Sequence, residues 1–404
     1  MGNQNDSRFI FNELFCSKKI TVMNFILKKI VIKDFLFTAF LMLSLLFFFV
    51  DSGGVLGLRI LGVVILSFYF FISILYLHKI DMHVFNISIF SFIVFIYCYL
   101  VSNYNNISTV DSINKLIVFI FMPIFIFSLM FLNHQVVKKS LIYSGLLFSL
   151  VILLTFIYFI IDPFGAEIIF KELEIPGWFY LRADNYPQVY YQATLTLVPI
   201  CIFSYCYGYK KIGLVILLTL LISLSRFGFF CAIIIIILFE FFNTKKLVLS
   251  LFYIYLSIMV LFPFLGYALY VNSDLPKVYS AYSNDDGLYI RLGHLYSIYD
   301  FFTTKSFIFG SGAGSYFYTI GFHEYVDNIE ISQLELLRRN GLIGYYLASS
   351  LLIYISYLLI KKELYIEFIC LFAFYIISFS NPVLLTLSLS IIVACLLNQK
   401  RYSE

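Results

Sequence analysis

Apolar runs of about twenty residues recur along the chain, at 31–50, 55–77, 83–101, 113–132, 140–161, 189–208, 247–270 and 340–360. Each has the length a helix needs to cross the roughly 30 Å hydrocarbon core of a bilayer. Two further apolar stretches are too long for a single crossing. Residues 212–242 are interrupted by Ser225-Arg226-Phe227-Gly228, which predicts two short helices meeting at a polar turn. Residues 364–397 divide at Asn381-Pro382, because proline ends a helix and biases its predecessor away from the α region. The pattern predicts an all-α polytopic membrane protein with about 12 transmembrane helices.

One interruption is long. From 271 to 339 the chain is polar, and it turns apolar again within HEYVDNIEISQLELLRRNGLIGYYL (323–347). The predicted organisation is an N-terminal tail (1–30), a membrane bundle (31–270) with a smaller polar loop at 162–188, the large loop (271–339), C-terminal membrane helices (340–397) and a short tail (398–404). The positive-inside rule orients it. Lys79, Lys138-Lys139, Lys210-Lys211, Lys245-Lys246 and Lys361-Lys362 fall, with both tails, on one side. That side collects 17 of the 27 Lys and Arg residues, and the other side the remaining ten. Both termini are therefore expected in the cytoplasm and both polar loops outside it. The first thirty residues are too long and polar for a cleaved signal peptide and read as a retained tail before an uncleaved anchor.

Composition narrows the chemistry. The chain is 62% apolar and 12% charged, against about 25% charged in an average soluble domain. A net charge of +4, dispersed along the chain, points away from nucleic acid. Six of the seven cysteines lie in apolar runs and the seventh, Cys16, in the N-terminal segment, with no C-x-x-C pair. Neither a disulfide framework nor a metal site is expected, and no cofactor.

Charged residues near the outer loops are the candidates for chemistry. Arg226, at membrane depth in its turn, either snorkels to headgroups or offers a fixed guanidinium to a lipid-linked phosphate. Arg291 lies three residues before His294 in DDGLYIRLGHLYSIYDFF (285–302), an amphipathic stretch. Asp285-Asp286 reads as a helix start favoured by the helix dipole rather than a cation site. Gly310-Ser311-Gly312-Ala313-Gly314 lacks the strand–turn–helix setting of a nucleotide fingerprint, so it is either a flexible turn or a backbone able to approach phosphate. Asp327 and Glu330 have capping-box spacing. Alternatively, Glu330, Leu334, Leu337 and Gly341 form one helix face, with Glu330 placed as a base at the loop–membrane junction. His323 is the other candidate base. Arg338 and Arg339 either snorkel or bind phosphate at the membrane entry. Arg182, in WFYLRADNYPQVYYQATLTLVPI (178–200), sits among aromatics that suit either an interface belt or sugar stacking.

In this order, the SRFG turn, the IRLGH segment, GSGAG and ISQLELLRRNGLIG resemble the O-antigen polymerase and ligase superfamily, the Wzy-type polymerases, as does the segment from Asn185-Tyr186-Pro187 into YYQATLTLVPI. The sharp part covers 178–347. The resemblance implies a GT-C-type membrane fold with short helices in the large periplasmic loop. It also implies an inverting, metal-independent glycosyltransferase of the bacterial inner membrane, facing the periplasm. Donor and acceptor would be undecaprenyl-diphosphate-linked oligosaccharides, with a chain-length regulator protein as a further candidate partner. Position by position, Arg226 corresponds to the SR-motif arginine and Arg291 to the outer-loop arginine, both holding the donor pyrophosphate. The ligase pattern has His four residues before the position of Leu334, where this chain has Glu330. That departure favours polymerase over ligase and leaves the base open between Glu330 and His323. A flippase of lipid-linked sugars is the rival from another class; it tends to show repeated halves with charges spread through the spans.

Overall fold

A computed structural model of the chain describes residues 34–51, 55–76, 81–175, 177–181, 186–272 and 287–398. Arg182, the Asp285-Asp286 pair and the tails 1–30 and 399–404 lie outside the described residues. The fold is that of an all-α membrane protein. Fifteen α-helices are described: α1 Asp34–Val50, α2 Leu58–Tyr76, α3 Met82–Tyr104, α4 Thr109–Leu129, α5 His134–Ile161, α6 Pro163–Glu172, α7 Leu197–Cys206, α8 Lys210–Ile222, α9 Arg226–Phe241, α10 Thr244–Asn272, α11 Gly287–Phe301, α12 Thr304–Phe309, α13 Ser332–Lys361, α14 Tyr365–Ile377 and α15 Leu387–Leu397. Among the described residues six of them, α2, α3, α4, α5, α10 and α13, are long and apolar enough to span a membrane.

The long and short helices play different parts. On α2 the residues Ile60, Val64, Phe68, Phe71 and Leu75 are exposed and follow one helical face, a stripe suited to lipid. The short helices α7, α14 and α15 are buried along nearly their whole length. They are apolar on every side because they contact protein all round.

Side-chain bonds gather the connections into two ends. At one end Lys362 pairs with Asp81 at 3.4 Å, and His83 Nδ1 lies 3.2 Å from the Tyr354 hydroxyl. At the other end Lys115 of α4 pairs with Asp327 at 2.5 Å, and the Ala313 amide donates to Ser102 Oγ at 2.8 Å. Two antiparallel hairpins lie at this second end: β1 Gly177–Leu181 with β2 Pro187–Tyr191, and β3 Phe317–Thr319 with β4 Glu324–Val326.

Both expected helix breaks are present, between α8 and α9 and between α14 and α15. The expected span at 189–208 is different. Its first residues belong to β2, and helix proper begins only at Leu197 after a 3-10 turn at Thr194–Thr196. Aromatic packing holds that extended segment: Phe179 stacks on Phe170 of α6 at 4.4 Å, and Tyr191 meets Phe179 at 4.8 Å and bonds Thr155 of α5 at 3.0 Å.

The GSGAG segment is an ordered cap, not a flexible turn. Gly341 interrupts α13 with φ 64° and ψ −174°, backbone that is essentially glycine-only. The break leaves the Arg338 and Arg339 carbonyls without the helical amides they would otherwise accept from. The Ser311 and Gly312 amides donate to them instead, at 3.0 and 2.8 Å. A Cβ on Gly341 would stand 2.4 Å from the Gly310 nitrogen and 2.5 Å from the Ile308 carbonyl oxygen. Gly341→Ala is therefore expected to cost at least about 1–3 kcal/mol, read as a lower thermal unfolding midpoint of the detergent-purified protein. An unchanged midpoint would remove this account of the kink.

Candidate functional site

Glu330 stands two residues before α13, at the second end of the bundle. Ser332 fixes it there: its amide donates to the Ser378 carbonyl at 3.0 Å, and its hydroxyl to the Asn381 carbonyl at 2.9 Å. The first turn of α13 is thus fastened to the polar turn between α14 and α15. The helix begins at Ser332 after Ile331, with no side-chain cap. The capping box expected from Asp327 and Glu330 is not formed, and Glu330 does not share a helix face with Leu334, because both Asp327 and Glu330 precede the first helical residue.

Glu330 faces Arg291 of α11, Oε2 to Nη2 at 3.1 Å. The contact is an ion pair out of line for a hydrogen bond. Glu330 Oε2 and Arg291 Nε are buried without an aligned hydrogen-bond partner. Burial raises the Glu330 pKa above the ordinary carboxylate range, and the Arg291 charge acts against that rise without cancelling it.

The carboxylate opens on a cavity of about 310 Å³ lined by Tyr190, Gln192, Phe322, Asn328 and Asn381, among others. Successive strand residues point to opposite faces, so while Tyr191 anchors β2 on α5, Tyr190 turns toward the cavity. Its hydroxyl donates to Asn381 Oδ1 at 3.1 Å. Burial, then the Glu330 charge, raise its pKa, which keeps the phenol protonated. The wall thus combines a carboxylate with a phenol, side-chain amides and an aromatic ring, while Arg291 is not among the lining residues and reaches the cavity through Glu330.

His294 lies behind the pair, fully buried. Nδ1 is 2.7 Å from Thr319 Oγ1 and its ring meets Phe322 edge-on at 4.4 Å. Burial pushes its pKa down to about 4, with Glu335 opposing and Arg291 assisting. At neutral pH it is an uncharged rivet between α11 and the second hairpin.

The remaining arginines chosen from the sequence go elsewhere. Arg338 and Arg339 are 0% and 2% exposed, in the interior rather than at a membrane-entry surface. Glu335 decides this. Arg338 clamps it in a fork, Nε to Oε2 at 3.0 Å and Nη2 to Oε1 at 2.7 Å, and Arg339 Nε donates to the same carboxylate. Both guanidiniums also donate to the Asp327 carbonyl, at 3.1 and 3.0 Å. Arg338 further donates to Ser315 Oγ at 2.7 Å and lies 4.6 Å from the Phe317 ring centroid. With so many donors committed, the pair ties the outer segment to α13 and leaves phosphate little to bind. Arg226 is exposed at the start of α9 and lines neither the Glu330 cavity nor the one beside it. His323 is exposed at the tip of the second hairpin with φ 55°, next to the lining residue Phe322 but not itself in the wall.

Tyr190, Glu335 and the Asn381 side chain were not singled out as site residues by sequence reasoning. The signals were present but ambiguous: an Asn-Pro step inside an apolar run, a Glu one turn before two arginines, and a tyrosine among many. No protein-family model, no curated protein and no solved structure matches this chain.

Proposed function

We propose that the protein is a membrane-embedded glycosyltransferase, an O-antigen (surface polysaccharide) polymerase that joins undecaprenyl-diphosphate-linked oligosaccharide units at the periplasmic face of the bacterial inner membrane. One observation carries the reading: Glu330, a half-buried carboxylate paired with Arg291, lines an amide- and aromatic-bearing cavity at a loop–membrane junction. In this reaction an acceptor hydroxyl gives its proton to Glu330 as its oxygen attacks the anomeric carbon of the growing chain. The bond from that carbon to the diphosphate breaks, and the departing diphosphate takes the electron pair beside Arg291. A carboxylate raised above its usual range is a better base at neutral pH than a free one. A fixed cation at the leaving group stabilises the charge that develops there, which is commonly the greatest single source of rate enhancement.

The topology proposed with this function has about 12 spans. Beside the six long helices, α1, α7 and the pairs α8–α9 and α14–α15 complete it, the pairs reversing at the Ser225-Arg226 and Asn381-Pro382 turns, with both termini cytoplasmic. Arg226, exposed at such a turn, then snorkels to lipid headgroups. Arg291→Ala is expected to lower polymerisation by about 10²–10³, leaving single-repeat glycolipid in a deletion strain. Arg226→Ala should keep a ladder of long chains.

The decisive assay uses purified protein in liposomes with lipid-linked repeat units. New glycosidic bonds support the polymerase. Transbilayer movement of substrate without bond formation would replace it with a flippase, and transfer only onto a lipid A core acceptor with a ligase.

A further inference from the structure

A groove of about 790 Å³ opens at the second end of the bundle, between the last turns of α3 and the short helix α12. It shares no lining residue with the Glu330 cavity, and its Leu100, Tyr104 and Phe309 are exposed. Two α3 side chains fasten its floor to α12, α13 and the GSGAG cap. The Tyr97 hydroxyl donates to the Phe309 and Asn340 carbonyls at 3.3 and 3.4 Å, and Asn105 Nδ2 donates to the Gly310 carbonyl at 3.4 Å. Lys305 is held across the mouth: its ammonium donates to the Tyr104 hydroxyl at 2.7 Å and lies 4.3 Å from the centroid of that ring. The partner is a hydroxyl rather than a carboxylate, and among the described residues no acid lines the groove. The carbonyls that end α3 would oppose an anion. Those of Val101, Ser102 and Asn103, however, already accept from the Asn105, Ile107 and Asn106 amides at 3.1, 3.0 and 3.0 Å. Lys305 is therefore the dominant charge of the groove.

A strip of hydrocarbon leads into this polar mouth. Phe85, Ile89, Phe92, Ile96 and Leu100 are exposed on α3 at the three- and four-residue spacing of one helix face, and that face enters the groove at Leu100. From Phe92 to Tyr104 it rises about 18 Å at about 1.5 Å per residue, enough to cover one leaflet of a hydrocarbon core roughly 30 Å thick. We propose that the groove binds one anionic phospholipid of the adjoining leaflet. Its phosphate meets Lys305 and the Asn103 amide, and an acyl chain lies on Leu100, Ile96 and Phe92. An ammonium and an amide donate well to phosphate oxygens, and a lysine already held against Tyr104 loses less freedom on binding than a free one. A zwitterionic headgroup is disfavoured because it would bring a second cation toward Lys305 where no acid lines the wall.

The test is equilibrium binding of the first phospholipid to the full-length protein in detergent, read by native mass spectrometry with phosphatidylglycerol and, as control, phosphatidylcholine. The wild type is expected to bind phosphatidylglycerol about 10-fold more tightly, the worth of one charge-assisted bond. Lys305→Gln should remove that preference and Lys305→Arg should keep it. Asn103→Asp, which keeps the volume and adds a negative charge beside the ammonium, should weaken it as Lys305→Gln does. Equal affinity of the wild type for the two lipids overturns the site, as does a preference unchanged in both Lys305→Gln and Asn103→Asp. Glycerol 3-phosphate binding as tightly as phosphatidylglycerol would overturn the acyl wall. Farnesyl diphosphate displacing phosphatidylglycerol at a tenth of its concentration would overturn the phospholipid occupant in favour of a prenyl-linked one. No lipid-linked repeat unit is present, so the outcome is separate from that of the polymerase assay.

Discussion

Glu330→Gln is expected to reduce polymerisation by about 10²–10⁴, the range for loss of a general base, while His323→Ala leaves long chains. The substitution is nearly isosteric and removes the proton acceptor without emptying the cavity. In a deletion strain, the glycolipid profile should collapse to single repeats with Glu330→Gln and keep its ladder with His323→Ala, at equal protein levels. A full ladder from Glu330→Gln would end the assignment of the base.

The pH profile adds an independent reading. On the proposed mechanism the active form is the carboxylate, so activity is expected to fall as pH drops through the Glu330 pKa. Burial places that pKa above the ordinary carboxylate range, and Arg291 limits the rise. The acid limb of the wild type should therefore lie higher than that of an exposed glutamate. In Arg291→Gln, which loses the lowering charge, the limb should move to still higher pH. A limb that stays in place would separate Arg291 from the titration.

The second large effect concerns folding. Glu335 is fully buried beneath Arg338 and Arg339, and one carboxylate serves both guanidiniums. Removing one partner of a buried ion pair costs about 3–5 kcal/mol because the other charge stays desolvated and uncompensated. Glu335→Gln leaves two such charges and is expected to lower yield and thermal midpoint more than any other single change named above. Glu335→Asp keeps the charge at a shorter reach and should recover part of the loss. A wild-type midpoint for Glu335→Gln would contradict the structural role given to this cluster.

Much of the architecture was legible along the chain. Runs of apolar residues report bilayer spans because a helix must bury its own backbone bonds in hydrocarbon. The breaks at Arg226 and Asn381 were legible because polar and proline residues interrupt such runs. The strand at Pro187–Tyr191 was not, because a half-buried aromatic segment satisfies the same hydropathy pattern as a helix start. The pairing of Arg291 with Glu330 joins residues 39 positions apart, a separation over which local periodicity carries no information.

The site was legible in kind and not in membership. Residue type alone ranked Arg226, Arg338 and Arg339 with Arg291, since a guanidinium carries the same charge wherever it stands. The Gly341 kink, the cap by Ser311 and Gly312 and the position of Glu335 turn two of those arginines inward. The Asn381 turn, which hydropathy marks only as a break, becomes part of the wall around the site.

By itself, the order of apolar and polar residues determined that this chain is an all-helical membrane protein whose polar chemistry gathers in its long connections. Tertiary structure alone decided which charges are neutralised inside and which face a cavity. The reason is physical: transfer into hydrocarbon is a sum over residues and can be read along a chain. The fate of a charge depends on which distant donor or acceptor folding brings within about 3 Å of it.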